Sequence, residues 1–496
     1  MSFKPSPYQQ NVFNFIKNGR GNAVVEAVAG SGKTTTIVKS LSMINRNASV
    51  LFLAFNKTVV EELRTKVPRH VEVSTYHSVG FRSLRYSLRG RRINVDNSKV
   101  FKFIKTIQFD AIKDSDVNPF GIYCNAIQKL VGLAKSHGYG VLDDSMSLDE
   151  IAEHHDLFDR YPEELNFDKL KSYVESTLSF CKKQTSIIDF DDMIYMPMVL
   201  NTSFKRYDYV FIDEAQDTSH VQRNLLTKML KYRGRLIAVG DSSQAIYGFR
   251  GADSGSMDAI KREFSAKSLP LSISYRCAKS IVTKAQTVNS QILPFDGNPE
   301  GSVTFKHTYN PSDFNASDAI LCRNTAPLVA MAFALIRKGV SPNVLGRDIG
   351  KGLISLCQKW KSVTKVDALI DKLDSTYVLA VAKADGDESK LVNFSDQIEC
   401  IRIFSDEMPS GDNRVTTLCS IIDNFFGDTQ DNRITLCTVH KSKGLEWHKV
   451  YLLDPEKFQP QWVNLEWQRV QERNIEYVAI TRAIDELVYI ESGNWA

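Results

Sequence analysis

No apolar run in the 496 residues approaches the roughly 18 needed to span a bilayer, so no transmembrane helix is expected. The opening residues, Met1-Ser2-Phe3-Lys4-Pro5, lack the apolar stretch of a secretory signal, which argues against export. Cysteine is sparse: eight thiols, at 124, 181, 277, 322, 357, 400, 419 and 437, form no Cys-x-x-Cys pair. That scatter argues against structural zinc or a disulfide framework and suits a reducing cytosol, or a nucleoid or nucleus. A surplus of one charge is also missing, since 62 basic residues face 58 acidic ones for a net +4. A groove for a polyanion needs local rather than global charge, so this balance neither requires nor excludes nucleic acid. What remains is an ordinary globular composition, 43% hydrophobic and 24% charged, at a length that predicts two to four domains.

The strongest feature present is Ala27-Val28-Ala29-Gly30-Ser31-Gly32-Lys33-Thr34-Thr35-Thr36. It follows the apolar Ala23-Val24-Val25, which reads as a buried strand, and it precedes a helix-compatible segment from Thr35 to Met43. Strand, glycine-rich loop and helix in that order make a P-loop. Ala29, Gly30, Ser31, Gly32 and Thr35 are then placed to wrap backbone N–H groups around phosphate. Lys33 would reach the β- and γ-phosphates of ATP, and the Thr34 hydroxyl would ligate Mg²⁺. Two further apolar strands deliver polar clusters. Tyr207–Ile212 leads into Asp213-Glu214-Ala215-Gln216-Asp217, and Arg235–Val239 leads into Gly240-Asp241-Ser242-Ser243-Gln244. Asp213 suits Mg²⁺ and Glu214 suits activation of the attacking water. Strands alternating with helices predict a parallel α/β sheet, whose ligands gather at the carboxyl ends of the strands.

Between residues 82 and 92 stand five arginines and no acid. Arg82, Arg85, Arg89 and Arg92 follow helical spacing, with Gly90 casting doubt on the last turn, and Tyr86 sits beside them. A phosphate-contacting face and a solvated basic helix explain this run equally well. The acidic Asp189-Phe190-Asp191-Asp192 is expected to be structural rather than metal-binding, and Lys383–Ser389 to be an exposed loop.

DEAQD at 213–217, GDSSQAIYGFRGAD at 240–253, TVHKSKGLEW at 438–447 and YVAITRA at 477–483 resemble the motif series of the UvrD/Rep/PcrA group of superfamily 1 DNA helicases. AFNK at 54–57 and STYHS at 74–78 resemble most its F-box DNA helicase branch, although no F-box-like segment precedes the motor. The resemblance spans residues 6 to 490. It implies two RecA-like α/β domains with ATP in the cleft between them. Gln9 then reads adenine and Tyr275 stacks on it. Gln244 senses the γ-phosphate, Arg276 and Arg482 are arginine fingers, and Glu446 lies near the sugar. The DNA contacts it implies are Phe55, Asn56, Thr75, His77, Tyr247, Phe249, Arg250 and His440; Phe249 stands where many relatives carry Trp. Aromatics in such a track stack on bases of any sequence.

The expected organisation is a first RecA-like domain from 1–92 and 186–268, with a helical insertion at 93–185. A second comes from 269–349 and 426–496, with a small insertion at 350–425. Both insertions are short beside the accessory domains of UvrD and Rep, and no RecB-like nuclease domain follows. The resemblance implies an ATP-dependent helicase moving 3′ to 5′ on single-stranded DNA and unwinding tailed or forked duplex, as a monomer or weak oligomer. A replication, repair or recombination partner is unidentified. The alternatives are a translocase that strips proteins or remodels recombination intermediates, and a DNA-binding scaffold switched by ATP.

Overall fold

The computed structural model describes residues 3–110, 119–155, 157, 165–246, 255–360, 362–384, 391–427, 433–458 and 466–495. The chain divides into two compact units, residues 1–28 with 32–272 and residues 29–31 with 273–496. Each is built on its own parallel sheet with helices.

Six strands form the first sheet: β1 Ala23–Ala27, β2 Val50–Ala54, β3 Val71–Thr75, β4 Tyr207–Ile212, β5 Leu230–Gly240 and β6 Lys267–Leu271. Their order is β3-β2-β4-β5-β1-β6, and every neighbouring pair is parallel. All five residues of β2 are buried, as befits a strand covered on both faces. The helix α1, Pro7–Asn18, starts at a capping box in which Ser6 and Gln9 each accept the other's backbone N–H, with Pro7 in its first turn. Its face of Val12, Phe13 and Ile16 is buried, each side chain contributing about 1.5–3 kcal/mol over exposure. The helices α2, Lys33–Leu41, α3, Lys57–Lys66, and α4, Tyr76–Ser87, follow β1, β2 and β3. Parallel strands bring their carboxyl ends to one edge of the sheet, so the turns after β1 to β5 share that rim.

The change of sheet comes later than the expected boundary after residue 268. β6 pairs with β1 from Ala23 opposite Lys267 to Ala27 opposite Leu271, and Leu269 and Leu271 join the core of the first sheet. A short apolar alternation reads alike for either sheet, and only its pairing assigns it.

Residues 93–185 fold as the helices α5, Lys99–Ile104, α6, Pro119–His137, α7, Leu148–His154, and α8, Phe167–Lys183. They enclose their own core, including Ile127, Leu130, Ile151, Leu170 and Val174. Asn94–Val95 pairs in parallel with Ile187–Ile188 at the base. Just beyond, Lys135 lies 2.6 Å from Asp189 and 2.9 Å from Asp192, while Lys99 lies 2.6 Å from Asp192. All four are buried, so two ammonium groups neutralise the acidic cluster from inside the helical insertion. The arginine run departs from its expected spacing: α4 stops at Ser87, and Arg89 and Gly90 take φ of +52° and +71°, off the helical path.

The second sheet has β7 Ser302–Phe305, β8 Ala319–Cys322, β9 Pro342–Leu345, β10 Phe426–Gly427, β11 Ile434–Thr438, β12 Trp447–Leu453 and β13 Ala483–Ile490. They lie parallel in the order β7-β13-β12-β8-β11-β9-β10. Helices at Arg347–Cys357, Val366–Ala384, Val392–Asp406 and Val415–Phe425 fill the chain between β9 and β10. Their Leu353, Leu369, Ile401, Leu418 and Ile422 share one core with Ile320, Val344 and Leu436 of the sheet. Of the expected loop at Lys383–Ser389, Lys383 and Ala384 close a helix, and 385–389 lie outside the described residues. Among the described residues no helix is long and apolar enough to cross a membrane.

Candidate active site

After β1 the backbone turns through Gly30 and Gly32, at φ +70° and +73°. That left-handed region costs a side chain roughly 1–2 kcal/mol, and glycine nothing. Gly32 is the N-cap of α2 and has no side chain with which to cap it, leaving the first N–H groups of the helix available to an anion. The buried Ser31 hydroxyl has no hydrogen-bond partner among the described residues. An orphaned buried hydroxyl costs about 1–3 kcal/mol, which a phosphate oxygen would recover. Thr34 is half-buried and Thr35 exposed on the first turn of α2. Gln9 is buried and donates from Nε2 to Thr36 Oγ1 at 3.1 Å, and that hydroxyl donates to Gly32 O at 2.9 Å. The side chain of Gln9 is therefore tied to the helix that begins at Lys33.

Lys33 Nζ lies 2.5 Å from Glu214 Oε1 and 3.8 Å from Asp213 Oδ1. Burial disfavours the ammonium, but the Glu214 and Asp213 carboxylates outweigh that and hold the pKa of Lys33 above its ordinary value. Burial also raises Asp213, with the charge of Glu214 adding to it and Lys33 opposing. Glu214 adopts φ +54°, a left-handed conformation that bends the chain sharply out of β4 into the turn at Ala215–Asp217.

From Glu214 a line of hydrogen bonds continues. Gln216 Nε2 donates to Glu214 Oε2 at 2.6 Å, and Gln216 Oε1 accepts the Asp241 N–H at 3.1 Å. Asp241 then accepts from Gln244 Nε2 at 2.7 Å and from the Ser243 N–H at 3.0 Å. Burial lifts Asp241 to about 6, against these hydrogen bonds and the charge of Lys33. A Cβ on Gly240 would fall 2.4 Å from Gln216 Oε1, so the tip of β5 has room for the amide only because position 240 is glycine. Lys33, Glu214 and Gln244 were expected site residues; Gln216 and Asp241, which join them, were not. Both stand inside the DEAQD and GDSSQ segments, but nothing local says that their side chains meet.

In the second unit Tyr275 and Phe295 bring their ring centroids to 5.0 Å at a 46° tilt. Arg276 Nε lies 2.5 Å from Glu446, and its Nη1 donates to Thr481 O at 3.3 Å. Arg482 is buried and donates to the carbonyls of Val478 and Leu445, both at 3.0 Å. Tyr275, Arg276, Glu446 and Arg482 are thus brought together around the ends of β12 and β13. His440 is half-buried on the short helix after β11.

The expected DNA contacts of the first unit lie at the rim of the sheet. Phe55 is 48% exposed, too open for a core residue. Asn56 and Thr75 are N-caps, accepting from the Val59 N–H at 2.9 Å and the Ser78 N–H at 3.1 Å. His77 stacks on Phe190 with centroids 3.7 Å apart and planes at 23°. Burial lowers His77 to about 4, so it is neutral at pH 7. Phe190 is half exposed and was not among the expected contacts. Tyr247, Phe249 and Arg250 lie outside the described residues.

Residues 8–265 match the UvrD/REP helicase N-terminal domain, and residues 351–493 the UvrD-like helicase C-terminal domain. The chain is 24% identical to the probable DNA helicase II homolog of Mycoplasma pneumoniae, over 94% of this chain and 81% of that protein. It is 23% identical to the ATP-dependent DNA helicase PcrA of Bacillus subtilis, over 97% and 82%. With F-box DNA helicase protein 1 of Schizosaccharomyces pombe it shares 24% identity over 94% of this chain but only 55% of that protein.

Proposed function

The chain belongs to the UvrD/REP helicase family, and from that premise we propose that it is an ATP-driven motor on single-stranded DNA, moving 3′ to 5′ and separating tailed or forked duplex. The observation that carries the reading is the hydrogen-bonded line from Lys33 through Glu214, Gln216 and Asp241 to Gln244. One end of it is the phosphate-binding lysine. The other end lies three residues before Tyr247, where the aromatic segment expected to contact DNA begins.

Lys33 has two partners to choose between. Its ammonium lies on Glu214; triphosphate oxygens would offer more negative charge and draw it away. Glu214 is then released to accept the proton of an attacking water, held in place by the Gln216 amide. The hydroxyl of Thr34 and the carboxylate of Asp213 are hard oxygen donors of the kind Mg²⁺ prefers, and they would hold it. The bound ion would neutralise charge on the β- and γ-phosphate oxygens. Gln9 and Tyr275 are proposed for adenine, Glu446 for the sugar, and Arg276 and Arg482 for the γ-phosphate. Phe55, Asn56, Thr75, His77, Tyr247, Phe249, Arg250 and His440 are proposed for DNA.

Steady-state ATP hydrolysis without nucleic acid, with single-stranded DNA and with single-stranded RNA tests the reading. Strong stimulation by DNA, followed by unwinding of 3′-tailed but not 5′-tailed duplex, is the expected result. Hydrolysis indifferent to DNA overturns the motor and leaves the ATP-switched scaffold. A second reading, a translocase that displaces bound proteins with little unwinding, draws support from the helices at 347–425. They are packed into the core of the second sheet and do not form a separate lobe. Displacement of a bound protein from single strands, with tailed duplex left intact, would select it.

A further inference from the structure

The arginine run forms one wall of a groove that follows α4 from Ser78 to its far end. This cavity, of about 1100 Å³, is lined by Arg85, Tyr86 and Arg89 on one side and by Leu200, Asn201 and Ser203 on the other. No acid lines it. The walls are pinned together by Ser83, whose hydroxyl donates to Ser203 O at 2.8 Å and lies 2.5 Å from Thr202 Oγ1. The groove is therefore preformed. Glu72, the nearby carboxylate, is committed to Arg82 at 2.6 Å and Lys205 at 2.8 Å. Arg85, Arg89, Arg91 and Arg92 are exposed and make no ion pair among the described residues. Tyr86 is 76% exposed beside them. Arginines in a last helical turn also suit the helix dipole, but Arg89, Arg91 and Arg92 lie beyond the helix, where that explanation lapses.

The groove is remote from the nucleotide residues. α4 leaves the carboxyl end of β3 at Thr75 and spans 12 residues, which carries it about 18 Å back along the sheet. Its opposite wall, 200–203, leads into the amino end of β4 at Tyr207. The groove runs along α4 from Ser78, beside His77, and Arg85, Tyr86 and Arg89 stand at its end farther from Lys33.

We propose that this groove is a second binding site for single-stranded DNA, with Arg85 and Arg89 on phosphates and Tyr86 stacked on a base. The proposal rests on the reading of the chain as a DNA motor. Guanidinium groups without partners, on a surface without acids, complement a phosphate backbone. An exposed aromatic face among them can stack on an unpaired base, which favours a single strand over a duplex. A strand that has left the motor's track, or the unused part of a long one, would be retained there.

The test measures binding by fluorescence anisotropy across a salt series, for the wild type, R85Q/R89Q and Y86A. The probes are an oligonucleotide of about 10 nucleotides, sized for one site, a single strand of about 40, and a duplex of the same length. In R85Q/R89Q the long strand should bind about tenfold more weakly, with the log–log salt slope reduced by about 1.4 for two lost phosphate contacts. Y86A should weaken it about tenfold with the slope unchanged. The short oligonucleotide should bind and stimulate ATP hydrolysis as in the wild type. Unchanged binding of the long strand overturns the proposal. So does a loss confined to duplex, which assigns the groove to paired DNA, or an equal loss with the short oligonucleotide, which puts these arginines on the main track. A wild type whose ATP hydrolysis ignores DNA refutes the motor itself, a result separable from any of these.

Discussion

The ammonium of Lys33 sits 2.5 Å from the carboxylate of Glu214, so the group proposed to bind phosphate and the proposed general base neutralise each other. Lys33→Ala should lower ATP turnover about a hundredfold or more, the scale of losing one preorganised charge on the reacting phosphate. Glu214→Gln should lose turnover similarly while binding ATP at least as tightly as wild type, because the amide no longer competes for the lysine. Steady-state hydrolysis and titration with a fluorescent nucleotide separate the two. A Lys33→Ala protein with DNA-stimulated hydrolysis near the wild-type rate would sink the assignment.

Gln216 joins Glu214 to the backbone of Asp241 and so to Gln244. Gln216→Met keeps the volume and removes its hydrogen bonds to Glu214, Asp217 and Asp241. Basal hydrolysis should fall about threefold, since Glu214 loses one contact that holds it, while its stimulation by single-stranded DNA drops about tenfold. The orphaned Asp241 N–H should cost about 1–3 kcal/mol of stability. An unaltered stimulation ratio would show that the line of hydrogen bonds carries no coupling.

Asp241 supplies a pH signature. Its folded pKa of about 6 stands above the ordinary 3.8, so its ionised form is penalised in the fold. The penalty is absent below pH 3.8, grows between 3.8 and 6, and is complete above 6. Asp241→Asn, in which Gln244 can turn its amide to restore the contact, should therefore be more stable than wild type at pH 7–8, by on the order of 1–2 kcal/mol. The advantage should vanish near pH 4. Thermal unfolding across that range reads it directly, and a variant less stable at every pH would contradict the buried charge.

His77 gives the opposite sign. Its pKa of about 4 lies below the ordinary 6.5, so the unfolded chain takes up the proton first and stability falls as pH drops from 6.5 towards 4. Phe190→Ala uncovers the ring. The His77 pKa, followed by NMR, should climb back towards 6.5, and single-stranded DNA should bind about tenfold more weakly if the stacked pair meets bases.

Lys135 balances Asp189 and Asp192, and all three are buried. Lys135→Met should destabilise by about 3–5 kcal/mol in denaturant unfolding, the cost of stranding buried charge. Adding Asp189→Asn should return part of that loss. Simple additivity of the two would mean that the groups do not interact.

Much of the site was legible because its chemistry is local. A P-loop declares itself in ten consecutive residues, and Asp213-Glu214 needs only the strand before it. Gln216 and Asp241 escaped notice because their contact depends on β4 lying beside β5 in register, a fact of pairing that neither segment contains. The same limit explains the misplaced boundary: Lys267–Leu271 could have edged either sheet until β1 was found beside it. The second insertion was recognised as helical, but its share in the core of the sheet was not. Burial of Leu353 against Val344 is a tertiary property with no period of its own.

The parallel pair Asn94–Val95 and Ile187–Ile188 puts the two chain crossings of the first helical insertion side by side. About 5 Å, the spacing of neighbouring strands, separates them. Because the pair is parallel, a segment replacing the insertion would have to cross back over the strands, about a dozen residues rather than a tight turn, with Asp189 and Asp192 made neutral to match the lost lysines. The first unit is thus a parallel sheet carrying a helical module whose two chain crossings lie side by side. Trading that module for another helical one would change the surface on that side of the sheet while leaving Lys33 and Glu214, on other elements, where they are.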